Sequence, residues 1–385
     1  MSRLIRYLGI VSMLLMSLPG CTDFVEPNQL AYILGTAVDH AEDGEIEISN
    51  QIVIPSQLKG SGQGGESGSE DNYLVVSAKG KDVFDATQKI QSKISRRLMT
   101  SHRILIAIGE EYFRKQEVSK LFDKLGRDPA NNLRDTILLV RGSSAKDFLM
   151  LQHPMEYNSS VAAGKELHIN GLKGFTSREL VIESLSEGTR PVLPFLQIQE
   201  VKYNSKSKKP IASVAGFAVM DKQLKIKGFL NATESSQAIW MIGKGNYGGI
   251  TIPWKKDEGV VSFRLTHQSR RVHAGNDPTH VVLTVAGQAY LLENTTSLDM
   301  SDSVNMIATQ KYLNEYIQNE MQLTMNKIQQ WGPDVFGIGE YLHRKHPIWW
   351  KTQKADWDAN FKNIEVKVKA TIQLRSTGVT GAQLK

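Results

Sequence analysis

The first part of the chain begins with short stretches of strand-like pattern. Apolar and polar residues alternate along 46–54, which predicts a half-buried strand, and the apolar stretch 32–39 predicts its partner. Asp43-Gly44 lies between them and is a strong hairpin turn. A third short strand is predicted at 73–78. The chain therefore opens with a small group of neighbouring strands.

Helical and strand patterns then alternate. Residues 82–98 carry apolar side chains at helical spacing, and 110–126 is a second helical region. The strongly apolar stretches 104–108 and 133–141 are predicted as buried strands. Strands that alternate with helices predict a mixed α/β sheet in this first domain.

The pattern is weaker in the middle of the chain. Short helices are predicted at 144–151 and 176–185, and Thr176 with Glu179 forms a capping-box sequence at the start of the second. Extended chain is predicted at 195–203, before the basic, turn-rich stretch 204–210. An exposed hairpin tip explains that basic stretch, although contact with anionic lipid is an alternative.

Strand patterns dominate the second half. A hairpin is predicted over 211–230 and a short helix over 233–241. Two long strands follow at 260–272 and 279–292, and an alternating edge-type strand at 364–375 ends the pattern. These strands predict a second, antiparallel sheet.

Residues 301–331 form the longest stretch with helical spacing, about 45 Å if unbroken. We expect this helix to lie across the antiparallel sheet and to bury one apolar stripe. The residues of the expected stripe are Val304, Ile307, Ala308, Tyr312, Ile317, Met321, Met325, Ile328 and Trp331. The opposite side carries Lys311, Glu315, Gln318 and Gln322.

The predicted fold class is α+β, with several domains, mixed sheets and packed helices. A chain of 385 residues is long enough for two or three domains. We divide it into a signal at 1–20, an N-terminal α/β region at 21–200 and a C-terminal domain at 201–385. Within the N-terminal region, 22–142 forms the first domain and 143–200 an intermediate segment.

The N-terminus has the composition of a secretory signal. Arg3 and Arg6 precede the apolar segment 8–18, which is too short to span a bilayer as a stable helix. Leu18-Pro19-Gly20-Cys21 ends this segment, and Cys21 is the chain's single cysteine. This stretch resembles the lipobox of bacterial lipoproteins, although Pro19 stands where Ala or Ser is usual. The resemblance implies cleavage between Gly20 and Cys21, and acylation of Cys21 by a diacylglycerol on sulfur and an acyl chain on nitrogen. The alternative is an ordinary buried thiol just after a cleaved signal.

The amino-acid composition is typical of a globular protein. Hydrophobic residues make up 41% of the chain and charged residues 22%. Loss of 1–20 removes two arginines and no acid, so the formal charge falls from +6 to +4, which does not indicate a nucleic-acid partner. A single cysteine provides no disulfide framework, so stability must come from packing.

The search for catalytic or metal chemistry gives no strong motif. His343 and His346 lack a third ligand nearby in sequence, so exposed histidines are favoured over a zinc site. Asp39 and Asp43 are carboxylates at a turn, where acids are common. No nucleophile elbow, zincin helix or Walker loop is found. We therefore predict no catalytic residue, no metal and no cofactor.

Two further patterns favour structural roles. The glycine-rich stretches 60–69 and 243–249 lack the spacing of a nucleotide-binding loop, so the first is predicted to be a linker and the second a turn. Trp349, Trp350 and Trp357 could stack on a sugar, but their spacing favours core packing beneath the last strand.

Six segments spread over the mature chain carry a resemblance to a known family. They are Leu34-Gly35-Thr36-Ala37-Val38-Asp39, Gln51-Ile52-Val53-Ile54-Pro55, Ser101-His102-Arg103, Gly216-Phe217-Ala218-Val219, Asp334-Val335-Phe336-Gly337-Ile338-Gly339 and Trp357-Asp358-Ala359-Asn360-Phe361. In order and spacing, together with the lipobox, they resemble the C-subunit lipoprotein family of spore germinant receptors.

The resemblance implies a lipid-anchored α+β protein on the outer surface of the spore's inner membrane. It implies action beside integral-membrane A and B subunits in nutrient-triggered germination, with no catalytic residues to carry over. A nutrient is a candidate ligand without an assigned residue. Two other functions stay open: a lipid-anchored solute-binding protein of a transporter, which needs two similar lobes around a cleft, and a secreted hydrolase, which needs a nucleophile or metal constellation.

Overall fold

The computed structural model describes residues 25–53, 73–129, 131, 133–156, 158–202, 207–254 and 259–376. Within these ranges the chain forms one large and one small sheet, both covered by helices. The predicted α+β class with mixed sheets is confirmed. No helix in the described part is long and apolar enough to cross a bilayer.

The large sheet contains nine strands among the described residues, in the order β3-β2-β1-β5-β6-β7-β8-β9, with β4 beside β1. Its central strands β1, β5, β6 and β7 are parallel, and the strands toward both edges are antiparallel. The strands are β1 (Leu30–His40), β2 (Ile46–Val53), β3 (Tyr73–Gly80), β4 (Arg97–Met99), β5 (Leu105–Gly109), β6 (Thr136–Val140), β7 (Val192–Lys202), β8 (Lys208–Met220) and β9 (Ile226–Leu230).

Helices cover both faces of this sheet and also connect it to the small sheet. The helices are α1 (Val83–Gln91), α2 (Glu110–Lys115), α3 (Val118–Arg127), α4 (Ala145–Met150), α5 (Ser159–Ile169), α6 (Ser177–Leu185), α7 (Ala232–Ile242), α8 (Ser303–Trp331), α9 (Ile338–Lys345), α10 (Pro347–Gln353) and α11 (Trp357–Asn360). One core contains side chains of α1, α2, α3 and α6, and a second core on the opposite face contains those of α4 and α5.

Polar residues placed just before the helices fix where several of them begin. The carboxylate of Asp82 accepts from the Asp85 N–H at the start of α1, and Ser144 forms a reciprocal capping box with Asp147 at α4. The predicted cap at Thr176 is confirmed, because its hydroxyl accepts from the Glu179 N–H.

One predicted helix in this region was too long, one predicted helical region is divided, and one helix was missed. The helix expected over 82–98 ends at Gln91, whose side chain accepts from Leu98 N–H and donates to Arg96 C=O, so that the chain turns and β4 pairs with β1. The helical region expected over 110–126 consists of two short helices, α2 and α3. Helix α5 was not predicted, since Gly164 and small residues blur its apolar stripe.

The strands β7 and β8 form one long hairpin that passes through residue 200, where we expected a domain boundary. Side chains of this hairpin, including Val192, Phe217 and Val219, belong to the same hydrophobic core as the small sheet and α8. The two sheets therefore share a continuous core.

The small sheet has the order β10-β11-β12-β13 within the described residues. Its strands are β10 (Gly249–Pro253), β11 (Val260–Ala274), β12 (His280–Asn294) and β13 (Glu365–Ser376). The expected antiparallel pairing holds for β10, β11 and β12, whereas β13 runs parallel to β12. A parallel pair needs a long crossover, and α8 to α11 supply it.

Helix α8 has 29 residues and covers the small sheet, as predicted. Its expected stripe is wrong at the N-terminal end, where Val304 and Ile307 are 69% and 68% exposed. A straight helix can direct only one side toward the sheet. The buried residues between Leu313 and Ile328 fix which side of α8 this is. Val304 and Ala308 point away from that side.

Side-chain amides of α8 bind the backbone of β13. Gln310 accepts from the Leu374 N–H at 2.8 Å. Asn314 exchanges two hydrogen bonds with the backbone of Ile372, at 2.6 and 2.9 Å. Gln322, expected on the solvent side, accepts from Val368 N–H at 2.8 Å and donates to Val366 C=O at 2.9 Å. The helix thus takes the place of a further strand at the edge of the sheet.

Candidate functional site at the junction of the two sheets

Two loops meet where the sheets join. The first, residues 186–191, leads from α6 into β7, and the second, residues 332–337, joins α8 to α9. The Arg190 N–H donates to the Asp334 carbonyl at 2.7 Å. Gly188 lies against Gly339, where an added Cβ would come within 2.7 Å of the Gly188 Cα. Only glycine allows the two backbones to approach this closely.

The Asp334 carboxylate is the centre of this junction and is fully buried. Its Oδ1 accepts from the N–H groups of Phe336 at 3.0 Å and Ile338 at 3.3 Å. Its Oδ2 accepts from Gly339 N–H at 2.7 Å and from the Trp357 indole at 3.0 Å. Burial raises the pKa of Asp334 to about 6, although the four N–H donors favour the charged form.

Arg190 forms a second buried link. Its Nε donates to the Asp358 carboxylate at 2.6 Å, and its guanidinium also donates to the carbonyls of Thr189 and Ser186, at 2.8 and 3.0 Å. Burial raises the pKa of Asp358, and the Arg190 charge opposes that shift. Arg190 was not predicted as a functional residue, and its available signal in the sequence is a lone cation directly before the apolar stretch 191–196.

The tryptophans pack as predicted. Trp350 and Trp357 are each 1% exposed, with ring centroids 4.9 Å apart, and both belong to the core shared by the two sheets. Trp349 is partly buried and contacts Trp357 edge to face. These rings are therefore part of the core and not a sugar-stacking platform.

The chemistry of this junction is structural. The carboxylate of Asp334 accepts from the protein's own backbone and from Trp357, and Asp358 accepts from Arg190. The last two of the segments that carried the family resemblance, 334–339 and 357–361, contribute to these bonds. The arrangement holds the two sheets in a fixed orientation.

An open cleft of about 680 Å³ lies beside the junction, between α5, β8 and the stretch 243–249. The carboxylate of Glu166 accepts from Val214 N–H at 2.9 Å in this cleft, and burial raises the pKa of Glu166. The Ser235 hydroxyl is held between Phe217 N–H and Leu230 C=O. These two polar groups therefore already serve the fold.

The stretch 243–249 behaves as the predicted turn. Gly243 adopts a left-handed conformation, with φ of 83°, and ends α7 by donating to the carbonyls of Ile239 and Trp240. The chain then enters β10 at Gly249.

The two candidate turn acids have different surroundings. Asp39 is buried at the end of β1, and its carboxylate accepts from Ala145 N–H at 2.8 Å and Lys146 N–H at 2.9 Å, at the start of α4. Burial raises the pKa of Asp39, and these two hydrogen bonds oppose the shift. Asp43 is exposed, with φ of 62°. The structure does not bring the two carboxylates into one site.

The paired histidines also have separate environments. The ring of His343 stacks on Trp350 at 5.7 Å, and His346 lies between α9 and α10. Among the described residues, no three His, Cys, Asp or Glu side chains form a group able to hold a metal ion.

Several predicted features lie outside the described residues. They are the signal, the cleavage site at Gly20 and Cys21, the linker 60–69, and residues 204–206 of the basic stretch. The predictions for these positions stay predictions.

Sequence comparison matches two family models to successive parts of the chain. Residues 23–198 match the spore germination protein N-terminal domain, and residues 215–378 match the C-terminal domain described as spore germination B3/GerAC like.

Individual relatives match over nearly the full length. The chain is 28% identical over 386 residues to spore germination protein KC of Bacillus subtilis (strain 168), covering 96% of this chain and 94% of the relative. It is 21% identical to spore germination protein B3 of the same strain, covering 97% and 98%. The crystal structure of the GerBC protein matches with a TM-score of 0.55 and 17% identity, covering 91% of this chain and 99% of that one. The structural match shows a shared fold.

Proposed function

We propose, on the premise that this chain belongs to the GerAC-like family of spore germination proteins, that it is the lipid-anchored C subunit of a nutrient germinant receptor. The observation that carries this proposal is the continuous match along both halves of the chain. A relative named as a spore germination protein covers 96% of it. Because the relative matches nearly the whole chain, we transfer to this chain a function that requires the whole protein.

The proposed location is the outer surface of the spore's inner membrane. The support is the lipobox-like stretch ending at Cys21, which would provide an acylated N-terminus after cleavage behind Gly20. Two or three acyl chains bind a bilayer stably, whereas one binds only marginally. In this position the protein acts beside integral-membrane A and B subunits.

The proposed role is to couple partners during germination without catalysis. The buried carboxylates of Asp39 and Asp334 are bound by the chain's own N–H groups, which supports a structural role for both. The proposal includes no cofactor, metal or nucleic acid. It retains the division of the sequence at residue 200, close to the bounds of the two family matches, 198 and 215, although the β7–β8 hairpin crosses that position.

The solute-binding alternative has less support. It requires two similar lobes around a cleft, but the two sheets in the described part differ in strand number and order. The cleft at Glu166 lies beside their junction and uses two of its polar groups internally.

Purification from spore membranes tests the partner assignment. A tagged chain is extracted in mild detergent from spore inner membranes, and the proteins recovered with it are identified by mass spectrometry. We expect integral-membrane A and B receptor subunits in amounts comparable to the chain. Recovery of a transporter permease in their place would support the solute-binding alternative and contradict the proposal.

A further inference from the structure

The face of the small sheet that points away from α8 carries three positively charged side chains and a histidine. The strand register places Arg271, Thr284 and Lys369 in one row across β11, β12 and β13, and His273, Val282 and Lys367 in the next row. Neighbouring strands are about 4.8 Å apart, and successive side chains on one face of a strand about 7 Å. Arg271, His273, Lys367 and Lys369 therefore form a compact patch, here called the cationic face.

The cationic face has no internal counter-charge in the described part of the chain. All four side chains are exposed. None of them forms an ion pair or side-chain hydrogen bond with another described residue, whereas many other exposed lysines and arginines do, such as Lys89 and Arg114. The neighbouring acid Glu365 lies at the end of β13 and binds His280 at 3.0 Å. Like charges grouped without counter-charges attract an anionic partner.

Protection of a sheet edge does not explain this patch. Lysines on an edge strand often prevent edge-to-edge pairing. However, the free edge of β13 is already bound by the amides of Asn314 and Gln322, so Lys367 and Lys369 are not needed to block it. Arg271 lies on the part of β11 that extends beyond β10. The two lysines of β13 therefore serve the face of the sheet and not its edge.

We propose that the cationic face docks on the anionic phospholipid headgroups of a membrane. The face presents charge on an open sheet, with the short residues Val282 and Thr284 in the middle of its two rows, and lacks the buried aromatic anchors that dominate protein interfaces. Basic residues near an anionic bilayer strengthen binding roughly fivefold each at moderate salt.

The proposed anchor makes this contact possible, so the inference rests in part on the proposed function. Nine Cα–Cα steps lead from Cys21 to Leu30, the first residue of β1. Fully extended, they span at most about 32 Å. The anchor would thus hold the start of β1 within that distance of the bilayer.

Vesicle co-sedimentation tests the inference. The chain from residue 21 onward carries Cys21→Ser, so that no acyl chain contributes, and all described elements are kept. It is mixed with vesicles of phosphatidylglycerol and phosphatidylcholine, or of phosphatidylcholine alone. We expect binding to the anionic vesicles only, weakening steeply with added salt.

A charge-matched pair of variants locates the contact. Arg271→Gln, Lys367→Gln and Lys369→Gln together should lower the partition coefficient on the order of 100-fold at low salt. The control Lys222→Gln, Lys225→Gln and Lys227→Gln removes the same charge from three exposed lysines around the β8–β9 turn and should bind nearly as well as the parent. Far-UV circular dichroism confirms that each variant is folded.

Two outcomes would overturn the inference: no binding of the parent to anionic vesicles, or equal losses in the two triple variants. If the cationic face binds an acidic protein surface instead, the parent would not bind anionic vesicles. The vesicle assay uses no spores and no acyl anchor. Its failure is therefore distinguishable from failure of the receptor-subunit proposal, which membrane purification and germination assays test.

Discussion

The indole N–H of Trp357 donates a 3.0 Å hydrogen bond to Oδ2 of Asp334, 23 residues earlier in the chain. Both side chains are at most 1% exposed. The same oxygen accepts from Gly339 N–H, and the Asp334 carbonyl accepts from Arg190 N–H. One buried aspartate thereby connects the loop after α8, the start of α11 and the entry to β7.

Replacing Asp334 should destabilise the whole protein. Asp334→Ala leaves three backbone N–H groups and the Trp357 indole without an acceptor, and each unsatisfied buried group costs about 1–3 kcal/mol. We expect the free energy of unfolding to fall by about 3 kcal/mol or more, measured by urea denaturation. The exposed Asp356→Ala is the control and should change little. Equal stability of Asp334→Ala and the parent would show that the network is dispensable.

The same carboxylate should make stability depend on pH. Burial raises the pKa of Asp334 from 3.8 to about 6, so the folded state holds this proton more tightly than the unfolded chain. The stability contributed by protonation is therefore complete below pH 3.8 and is lost as the pH rises through 6. The shift corresponds to about 3 kcal/mol at most.

Asp334→Asn cannot titrate and isolates this contribution. The difference in unfolding free energy, parent minus Asp334→Asn, should be larger at pH 4 than at pH 7 by up to about 3 kcal/mol. Denaturant titrations at the two pH values measure it. A difference that grows toward pH 7 would mean that the N–H donors outweigh burial and that the pKa is lowered.

The glycine contact at the junction should be intolerant of a methyl group. In Gly339→Ala the new Cβ would lie 2.6 Å from the Trp357 indole nitrogen and 2.7 Å from the Gly188 Cα. Such overpacking typically costs about 1–3 kcal/mol. Gly164→Ala is the control, because its Cβ meets no atom within 4 Å inside helix α5, and it should raise stability by up to about 1 kcal/mol. Thermal unfolding measures the stability of both variants. A higher melting temperature for Gly339→Ala as well as for Gly164→Ala would contradict the close contact.

The amides that bind the edge of β13 should contribute to stability. Gln322→Ala removes two hydrogen bonds to the backbone of Val366 and Val368, at a cost of about 1–3 kcal/mol. The exposed Gln330→Ala lies on the same helix and should be nearly neutral. Hydrogen exchange at the Val368 amide should accelerate in Gln322→Ala only. Unchanged protection there would show that the edge does not need the helix.

Local patterns were sufficient to predict most elements. The alternation in β2, the paired long strands β11 and β12 and the spacing of α8 each depend on residues close in sequence, and all three were predicted near their observed bounds. The burial of Trp350 and Trp357 also followed from their spacing.

The errors arose where contacts outside the local repeat of a helix or strand decide the structure. Gln91 ends α1 through bonds to residues 96 and 98, which a helical pattern does not reveal. The parallel pairing of β13 depends on the path of four helices, and alternation in one strand carries no direction. The role of Arg190 depends on Asp358, which lies 168 residues away.

Nutrient-triggered germination of spores is the most direct test of the proposed function. Spores that lack this chain are compared with spores that carry it unchanged or as Cys21→Ala, over a panel of amino acids, sugars and nucleosides, with a non-nutrient trigger as control. We predict that the response to a nutrient is lost on deletion, restored by the unchanged chain and weakened by Cys21→Ala, while the control response persists. Unchanged responses to every nutrient, in a strain that also lacks related receptors, would contradict the proposal that this chain is a germinant-receptor subunit.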